Sequence, residues 1–434
     1  MSRSAAHRDV VILGAGLTGL SAAHHLRSGY RLLEASGRVG GLCTTNVEDG
    51  FRFDVTGHLL HSHDPTIRRW LLSLLGDRLV CIERRSRIFS HGVYTRFPYQ
   101  ANTFGLPPSI AFECLKGFLA AWERRRDGPP PRDFEQFIRR HFGDGIARHF
   151  MIPYNTKLWG VPPRAMSTAW TARFVPKPTL DDVLAGAVGL HERELGYNAW
   201  FFYPRGGIGE LPEAIHRSLR APAELGEEVR RIELRRGVVH TTRGPVPYRR
   251  LISTLPLQRL CLLLEGAPAW VRAAASRLRC TPLSYLDVAL DRPPGNDFHW
   301  SYVPEKRYPF YRVGAYSNFS SALVPRGKGS LYVELASRAP FRRGADLPAV
   351  LRGLIDMRII RRAGDVRFVR PRRIPYAYVI YDRVWEGTRA RLHAFLRENG
   401  IVSCGRYGAW EYAAMEDALL AGREAARKVR ERDG

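Results

Sequence analysis

Residues 10–34 leave few folds open. Val10-Val11-Ile12-Leu13 is an apolar run of the right length for a buried parallel strand. Gly14-Ala15-Gly16-Leu17-Thr18-Gly19 follows at once and opens an alanine-rich helical segment. Tyr30-Arg31-Leu32-Leu33-Glu34 reads as a second strand. Gly14 permits the tight turn, Gly16 lets the main chain approach a pyrophosphate, and Gly19 lets helix and strand pack closely. The helix N-terminus offers that pyrophosphate unpaired N–H groups and a positive dipole end. Glu34 ends the second strand twenty residues after Gly14, where an acid bonds ribose hydroxyls. A mere glycine-rich turn does not carry this order of strand, glycines, helix, strand and acid. The motif predicts a dinucleotide-binding βαβ unit and leaves NAD and FAD both open.

At 434 residues and 45% hydrophobic, the chain can bury more than one domain core. No run of eighteen apolar residues is present, so no stable membrane insertion is expected. The first strand begins too near Met1 for a signal peptide, and the six cysteines form no CxxC pair. Both point to a cytoplasmic chain with reduced thiols and no metal site. His58, His61 and His63 lack zinc spacing and read as a polar loop, placed to lie over the cofactor because it leaves the cofactor strand directly. The net charge is +25, and only six of the 67 basic residues are lysine. Such an arginine bias reflects genome composition as readily as function. The field favours anionic substrates, but no nucleic-acid module is visible, and the oligomeric state is not readable.

Hydrophobic periodicity divides the chain further. Residues 1–104 form the first part of a cofactor domain, and 105–204 a mostly helical insertion. Residues 205–265 return to the cofactor domain, with strands at 229–234, 238–242 and 250–253. Residues 266–399 carry four closely spaced strands, at 283–290, 299–303, 311–317 and 331–335, which predict an antiparallel sheet in a substrate domain. Residues 400–434 close the cofactor domain with a strand and an amphipathic helix from Met415.

Two sets of residues carry a resemblance. Glu34-Ala35-Ser36-Gly37-Arg38-Val39-Gly40-Gly41 resembles the segment that leads towards the flavin in two-dinucleotide-binding flavoproteins. Phe150-Met151-Ile152-Pro153-Tyr154-Asn155-Thr156-Lys157-Leu158-Trp159-Gly160-Val161-Pro162 resembles the UDP-galactopyranose mutases, especially their eukaryotic-type branch. Gly57-His58, the stretch from Phe97 to Asn102, Ala169-Trp170, Pro309-Phe310-Tyr311-Arg312 and the stretch from Gly405 to Tyr412 agree and keep the family order. A broader similarity to flavin amine oxidases and protoporphyrinogen oxidases covers mainly the cofactor domain.

The resemblance implies an α/β fold: a Rossmann-like FAD-binding domain with a helical insertion and an antiparallel-sheet substrate domain. It implies FAD on Gly14, Gly16, Thr18, Gly19, Glu34, Ala35, Arg38, Gly41, Leu42, Gly57, His58, Val229, Gly405 and Met415. The family works with reduced flavin, whose N5 attacks the anomeric carbon of a UDP-sugar while UDP leaves. The sugar ring then opens, recloses as the furanose and regains UDP. No second dinucleotide fingerprint is visible, so an external reductant such as NAD(P)H is implied. Phe97, Gln100, Phe150, Tyr154, Asn155, Trp159, Arg173 and Asn198 would line the nucleotide and sugar pocket. His58 would act beside the flavin, and Tyr302, Arg312, Tyr376 and Tyr412 would hold the diphosphate. Read without the family, the aromatics equally suit a core; Arg312 on a strand is poorly explained as a plain surface residue, and a structural ion pair stays open for it. The chain also departs from the family. Phe174 stands where a second diphosphate arginine is expected, with Arg173 one place before it. Phe97 replaces a tyrosine, His61 replaces an aromatic residue, and Met415-Glu416-Asp417 is closer to the bacterial branch. The alternative is a true FAD oxidase or desaturase of an amine or small metabolite.

Overall fold

Four consecutive buried residues make Val10–Leu13 (β1) a central strand. In this computed structural model, which describes residues 9–124, 128–190 and 199–431, β1 is followed by helix α1 (Leu17–Leu26) and strand β2 (Tyr30–Glu34). The sheet order is Ile401–Ser403, Arg250–Ser253, β1, β2, Glu224–Leu225, and every neighbouring pair is parallel. Distant parts of the chain thus complete the unit predicted around residue 14. Of the strands predicted between 229 and 253, only the last joins this sheet. Val229–Glu233 and Val238–Thr241 pair antiparallel in a separate small sheet, as their half-exposed side chains require.

The helical segment places the aromatic motif. Helix Pro108–Arg124 crosses Phe134–Ile146 at glycines: a Cβ on Gly143 would lie 2.0 Å from the Gly117 carbonyl oxygen. The chain widens to a π turn over Ala147–Met151, a form frequent at functional sites, before helix α2 (Ile152–Trp159). Gly160, with φ +64, ends α2 in the left-handed region.

The second large sheet has seven strands. They are β3 (Ser86–Ser90), β4 (Val93–Arg96), β5 (Cys280–Leu290), β6 (Trp300–Tyr302), β7 (Phe310–Ala315), β8 (Gly329–Leu335) and β9 (Val366–Val379). Their order is β9-β5-β8-β7-β6-β3-β4, antiparallel except between β6 and β3. The four predicted strands are its middle. The β3–β4 hairpin and β9 extend it from far along the chain.

A buried polar cluster ties the hairpin strand that ends at Asp54 to the seven-stranded sheet. The Asp54 carboxylate accepts from Thr45 Oγ1 (2.6 Å), Tyr203 Oη (2.5 Å) and the Ile208 amide (3.1 Å), and burial still pushes it up to about 6. Tyr316 Oη donates to the Asp54 carbonyl at 2.5 Å and stands 3.4 Å from Asp287 Oδ1. Asp287 pairs with Arg372 at 3.1 Å, yet burial pushes it up to about 7. Its folded form therefore keeps a proton that the unfolded chain releases near pH 4. The resulting stability is full below that pH and is lost as pH rises through 7. Asp287→Asn has no such proton to lose. Between pH 5 and 7 the wild type should lose about 1.4 kcal/mol per pH unit relative to the variant. Urea titrations of both proteins across that range check this, and parallel pH curves would refute it.

Candidate active site

The glycines of the first turn meet three different surroundings. Gly14 has φ +94, and a Cβ there would sit 2.4 Å from Thr254 Oγ1. A Cβ on Gly19 would lie 1.9 Å from the Gly14 carbonyl oxygen, so only glycine lets α1 pack against the turn. A Cβ on Gly16 would meet nothing within 4 Å. That open space lies at the N-cap of α1, which no side chain caps. It is a cradle of the shape and polarity a pyrophosphate needs. Glu34 folds back over it, accepting from the Ala15 amide at 2.7 Å and from Ser36 at 2.8 Å. Ala35 leads into the return loop, where Arg38 holds Asn46 Oδ1 at 2.8 Å and Gly40 pairs with Gly16 as a parallel bridge. Gly41 stacks close on Gly16, and Leu42 packs into the aromatic core beyond.

The remaining cofactor candidates converge on the same turn. The Glu227 amide donates to the Glu34 carbonyl at 2.8 Å, setting Val229 near the end of β2. A Cβ on Gly405 (φ +77) would lie 2.4 Å from Thr18 Oγ1. Met415 begins helix α3 (Met415–Glu431), whose Gly422 backs onto the Thr18 carbonyl. The residues present fit a dinucleotide cofactor. The histidines of the 58–63 loop diverge. His58 Nδ1 faces the Val55 carbonyl at 2.6 Å, His61 Nδ1 faces the Trp200 carbonyl at 3.0 Å, and the His63 amide donates to Glu416. Burial pushes His58 down to about 4, helped by Arg406 and Arg312 close by. It is therefore neutral at ordinary pH, with Nε2 left as an acceptor. Gly57 leaves room for the Tyr332 hydroxyl.

The aromatic motif forms a continuous wall. Phe150 stacks on Tyr99 (4.8 Å) and on Tyr154 (5.2 Å), Tyr154 meets Tyr302 (5.3 Å), and Tyr302 meets Phe97 (5.3 Å). Trp159 reaches Tyr378 (5.7 Å) and Tyr412 (6.4 Å). Two predicted polar contacts are spent internally. Asn155 bonds the Met151 carbonyl and Trp159 Nε1, and Gln100 bonds the Pro176 carbonyl. Asn198 lies outside the described residues. Arg173 lies on the short helix Thr171–Phe174.

Arg312, on β7, faces Glu334, its cross-strand partner on β8. Its Nε donates at 2.8 Å and its Nη2 makes a second, shorter bond, a forked pair with a fully buried carboxylate. Burial opposes the Arg312 charge, and Glu334 more than offsets it, so the guanidinium is raised well above its usual value. The ion-pair reading is correct, and it leaves only the Nη1 edge and one Nη2 hydrogen for a ligand. Tyr302, beside Arg312 on β6, is raised by burial and opposed by Arg312 and Arg84. Tyr376 packs on Trp410 at 6.1 Å, past a register shift in β9. The phenol facing Tyr311 and Tyr412 is Tyr378.

Three residues escaped the sequence reading. Arg406 lies over Tyr412 at 4.5 Å and donates to the Ala377 and Ala413 carbonyls. Among the described residues no carboxylate pairs with it. It lies inside the Gly405–Tyr412 motif, where nothing local marks its side chain as a ligand contact. Tyr378 required the register of β9. Arg84 is buried with its guanidinium 5.0 Å from the Phe97 ring, in a stretch of arginines that carries no signal. Lys157, on α2, donates to the Val303 and Glu305 carbonyls and is pushed down to about 7 by burial, pinning α2 to the β6–β7 turn.

Comparison with known proteins fits this arrangement. The flavin containing amine oxidoreductase family model matches residues 17–430. A solved structure of reduced UDP-galactopyranose mutase superposes with a TM-score of 0.91 and 27% identity over 98% of this chain and 95% of that one. Putrescine oxidase bound to putrescine shares the fold, with a TM-score of 0.67 and 18% identity over 98% of this chain and 99% of that one. Protoporphyrinogen oxidase 2 of Arabidopsis thaliana is 26% identical over 164 residues, 34% of this chain and 32% of that protein. Protoporphyrinogen oxidase 1 of the same plant is 28% identical over 172 residues, 37% of this chain and 32% of that protein. The chain thus spans about a third of the length of these relatives. A flavin is the cofactor these matches support, and no helix among the described residues is long and apolar enough to cross a membrane. The chain belongs to the flavin-containing amine oxidoreductase family, and within it has the fold of a UDP-galactopyranose mutase.

Proposed function

We propose that the chain is a flavin-dependent mutase that interconverts the pyranose and furanose forms of a UDP-linked sugar. One observation carries this reading. Two guanidiniums, Arg312 and Arg406, stand near His58 on the loop that leaves the cofactor strand, and Arg406 has no carboxylate partner among the described residues. With Arg312 neutralised by Glu334, the Arg406 charge is what attracts an anionic leaving group and repels the ammonium that an amine oxidase takes. Phe174, where the family has an arginine, is the observation that favours the oxidase or desaturase instead.

FAD would be held by the turn at 14–19, Glu34, the loop at 35–42, Gly57, His58, Val229, Gly405 and Met415. In its reduced form it supplies a nucleophilic nitrogen for the anomeric carbon. The chain supplies the rest. Arg312 with Tyr302, Tyr378 and Tyr412 holds the departing diphosphate close, so that return is effectively intramolecular. Phenols donate to phosphate without a charge to desolvate. Phe97, Phe150, Tyr154 and Trp159 exclude water around the opened sugar. Neutral His58 offers Nε2 as an acceptor. The division at 1–104, 105–204, 205–265, 266–399 and 400–434 belongs to the same proposal. So do an external NAD(P)H reductant and a cytoplasmic role supplying galactofuranose-type donors to glycan or cell-envelope synthesis.

The purified flavoprotein, reduced with dithionite, should isomerise UDP-galactofuranose or a related nucleotide sugar, while the oxidised protein should not. Chromatography of the products reads this. No isomerisation of any nucleotide sugar by flavin-loaded protein would overturn the proposal, and oxygen consumption without nucleotide affinity would favour the oxidase. With His58 at about 4, the rate should show no step from this residue between pH 5 and 8.

A further inference from the structure

Helix α2 carries Tyr154 and Trp159, and the β6–β7 hairpin carries Tyr302 and Arg312. The two sides meet through rings, Tyr154 against Tyr302 at 5.3 Å and against Tyr311 at 6.3 Å. Apolar contact is non-directional, so it sets no exact spacing, whereas a hydrogen bond does. Lys157 supplies that bond. Its Nζ donates to the Val303 carbonyl and to the Glu305 carbonyl, each at 2.9 Å. Val303 follows Tyr302 directly, is fully buried, and gives its amide to the Tyr311 carbonyl at 2.8 Å. The carbonyl that Lys157 holds therefore belongs to the paired part of the hairpin. Lys157 stands one turn after Tyr154, and two residues further on Thr281 Oγ1 donates to the Trp159 carbonyl at 2.5 Å. Helix α2 is thus tied to β5 at its end and to the hairpin beside the phenols.

A buried ammonium is a costly way to join two carbonyls, and its charge is only just kept. Burial pushes Lys157 down to about 7, with Glu305 opposing. The other charges on the elements packed against α2 are engaged elsewhere. Arg148 and His149 on the π turn pair with Glu113, Arg312 with Glu334, and Arg307 with the Glu305 side chain. His91 faces His149, and Lys306 and Arg164 are exposed. The phenols of Tyr154, Tyr302, Tyr308 and Tyr311 are all raised and stay neutral.

We propose that Lys157 is a positioning residue: by clasping α2 to the β6–β7 turn it sets the gap between the aromatic wall and the Arg312 side of the site, into which the substrate fits. The proposal rests on the nucleotide-sugar reading and deepens it. The clasp is strongest with the ammonium charged, so the gap is held best below pH 7 and slackens as pH rises through it.

The test uses the flavin-loaded protein. It compares Lys157→Met, which has no donor, with Lys157→Arg, which stays charged at every working pH. Hydrogen exchange of the α2 amides reads the clasp itself and should quicken in Lys157→Met. With the reduced protein and a UDP-sugar, kcat of Lys157→Met should fall by about tenfold to a hundredfold, the cost of misplaced groups, while KM stays within about threefold. The wild-type rate should also step down as pH rises through 7, and both variants should lack that step. Asp287 loses its proton in the same range, so the difference between the profiles assigns the step to Lys157. Lys157→Arg should recover part of kcat. Flavin absorbance and melting temperature report folding. Should Lys157→Met not fold, Lys157→Arg against wild type carries the pH comparison. Unchanged exchange in Lys157→Met would overturn the clasp. Faster exchange with unchanged kcat, or the same pH step in either variant, would overturn the positioning role and leave the mutase reading standing. A wild-type protein that isomerises no nucleotide sugar would overturn the mutase reading and this role with it, whatever the exchange shows.

Discussion

Gly16→Val should give a protein that folds but holds no flavin. Gly16 has φ −71 and ψ −179, extended backbone that a β-branched residue adopts without strain. Nothing lies within 4 Å of its ideal Cβ, so the variant clashes with none of the protein's own atoms. The isopropyl group instead fills the space into which the helix N-terminus directs its N–H groups. The expected readings are a colourless protein as purified, native far-ultraviolet circular dichroism, and no recovery of flavin absorbance on adding FAD. Gly19→Val, three residues on, should fail differently. Its Cβ would stand 1.9 Å from the Gly14 carbonyl oxygen, a contact neither turn nor helix can relieve. That variant should be insoluble or unfolded. A yellow Gly16→Val protein would place the cofactor elsewhere. A well-folded Gly19→Val protein would show that α1 does not pack on the turn as described.

That contrast shows what was legible in the sequence. A G-x-G-x-x-G is a steric requirement, and steric requirements are local. So were β1, β2 and the four strands from 280 to 335, each bounded by turn residues and patterned along its own length. What was not legible was pairing across distance. Nothing near Ser86–Ser90 announces that it lies parallel to Trp300–Tyr302. Nothing in Val366–Val379, with its run of arginines and prolines, marks the outer strand of the sheet. The same limit governs the site. Phe150, Tyr154 and Trp159 come from one contiguous stretch, so these members of the wall could be named together. The Arg312–Glu334 pair and the choice of Tyr378 over Tyr376 both depend on register, and no residue reports its register alone.

Arg312→Met should cost both stability and nucleotide affinity, and a second substitution should separate the two. Glu334 is fully buried and forked to Arg312. Removing the guanidinium leaves an unpaired buried carboxylate, a loss of about 3–5 kcal/mol in unfolding free energy. UDP affinity should fall at the same time by about tenfold to a hundredfold. A single variant cannot tell a clamp from a strut, because the destabilised site would also bind poorly. Arg312→Met with Glu334→Met can, since replacing a buried pair with apolar residues of similar volume is often neutral. Urea unfolding of the double variant should return close to wild type, while its UDP affinity should stay as low as in Arg312→Met. That outcome makes the remaining edge of Arg312 a ligand contact. Recovery of UDP affinity together with stability would instead make Arg312 a structural partner of Glu334 alone. The leaving group would then depend on Arg406 and the surrounding phenols.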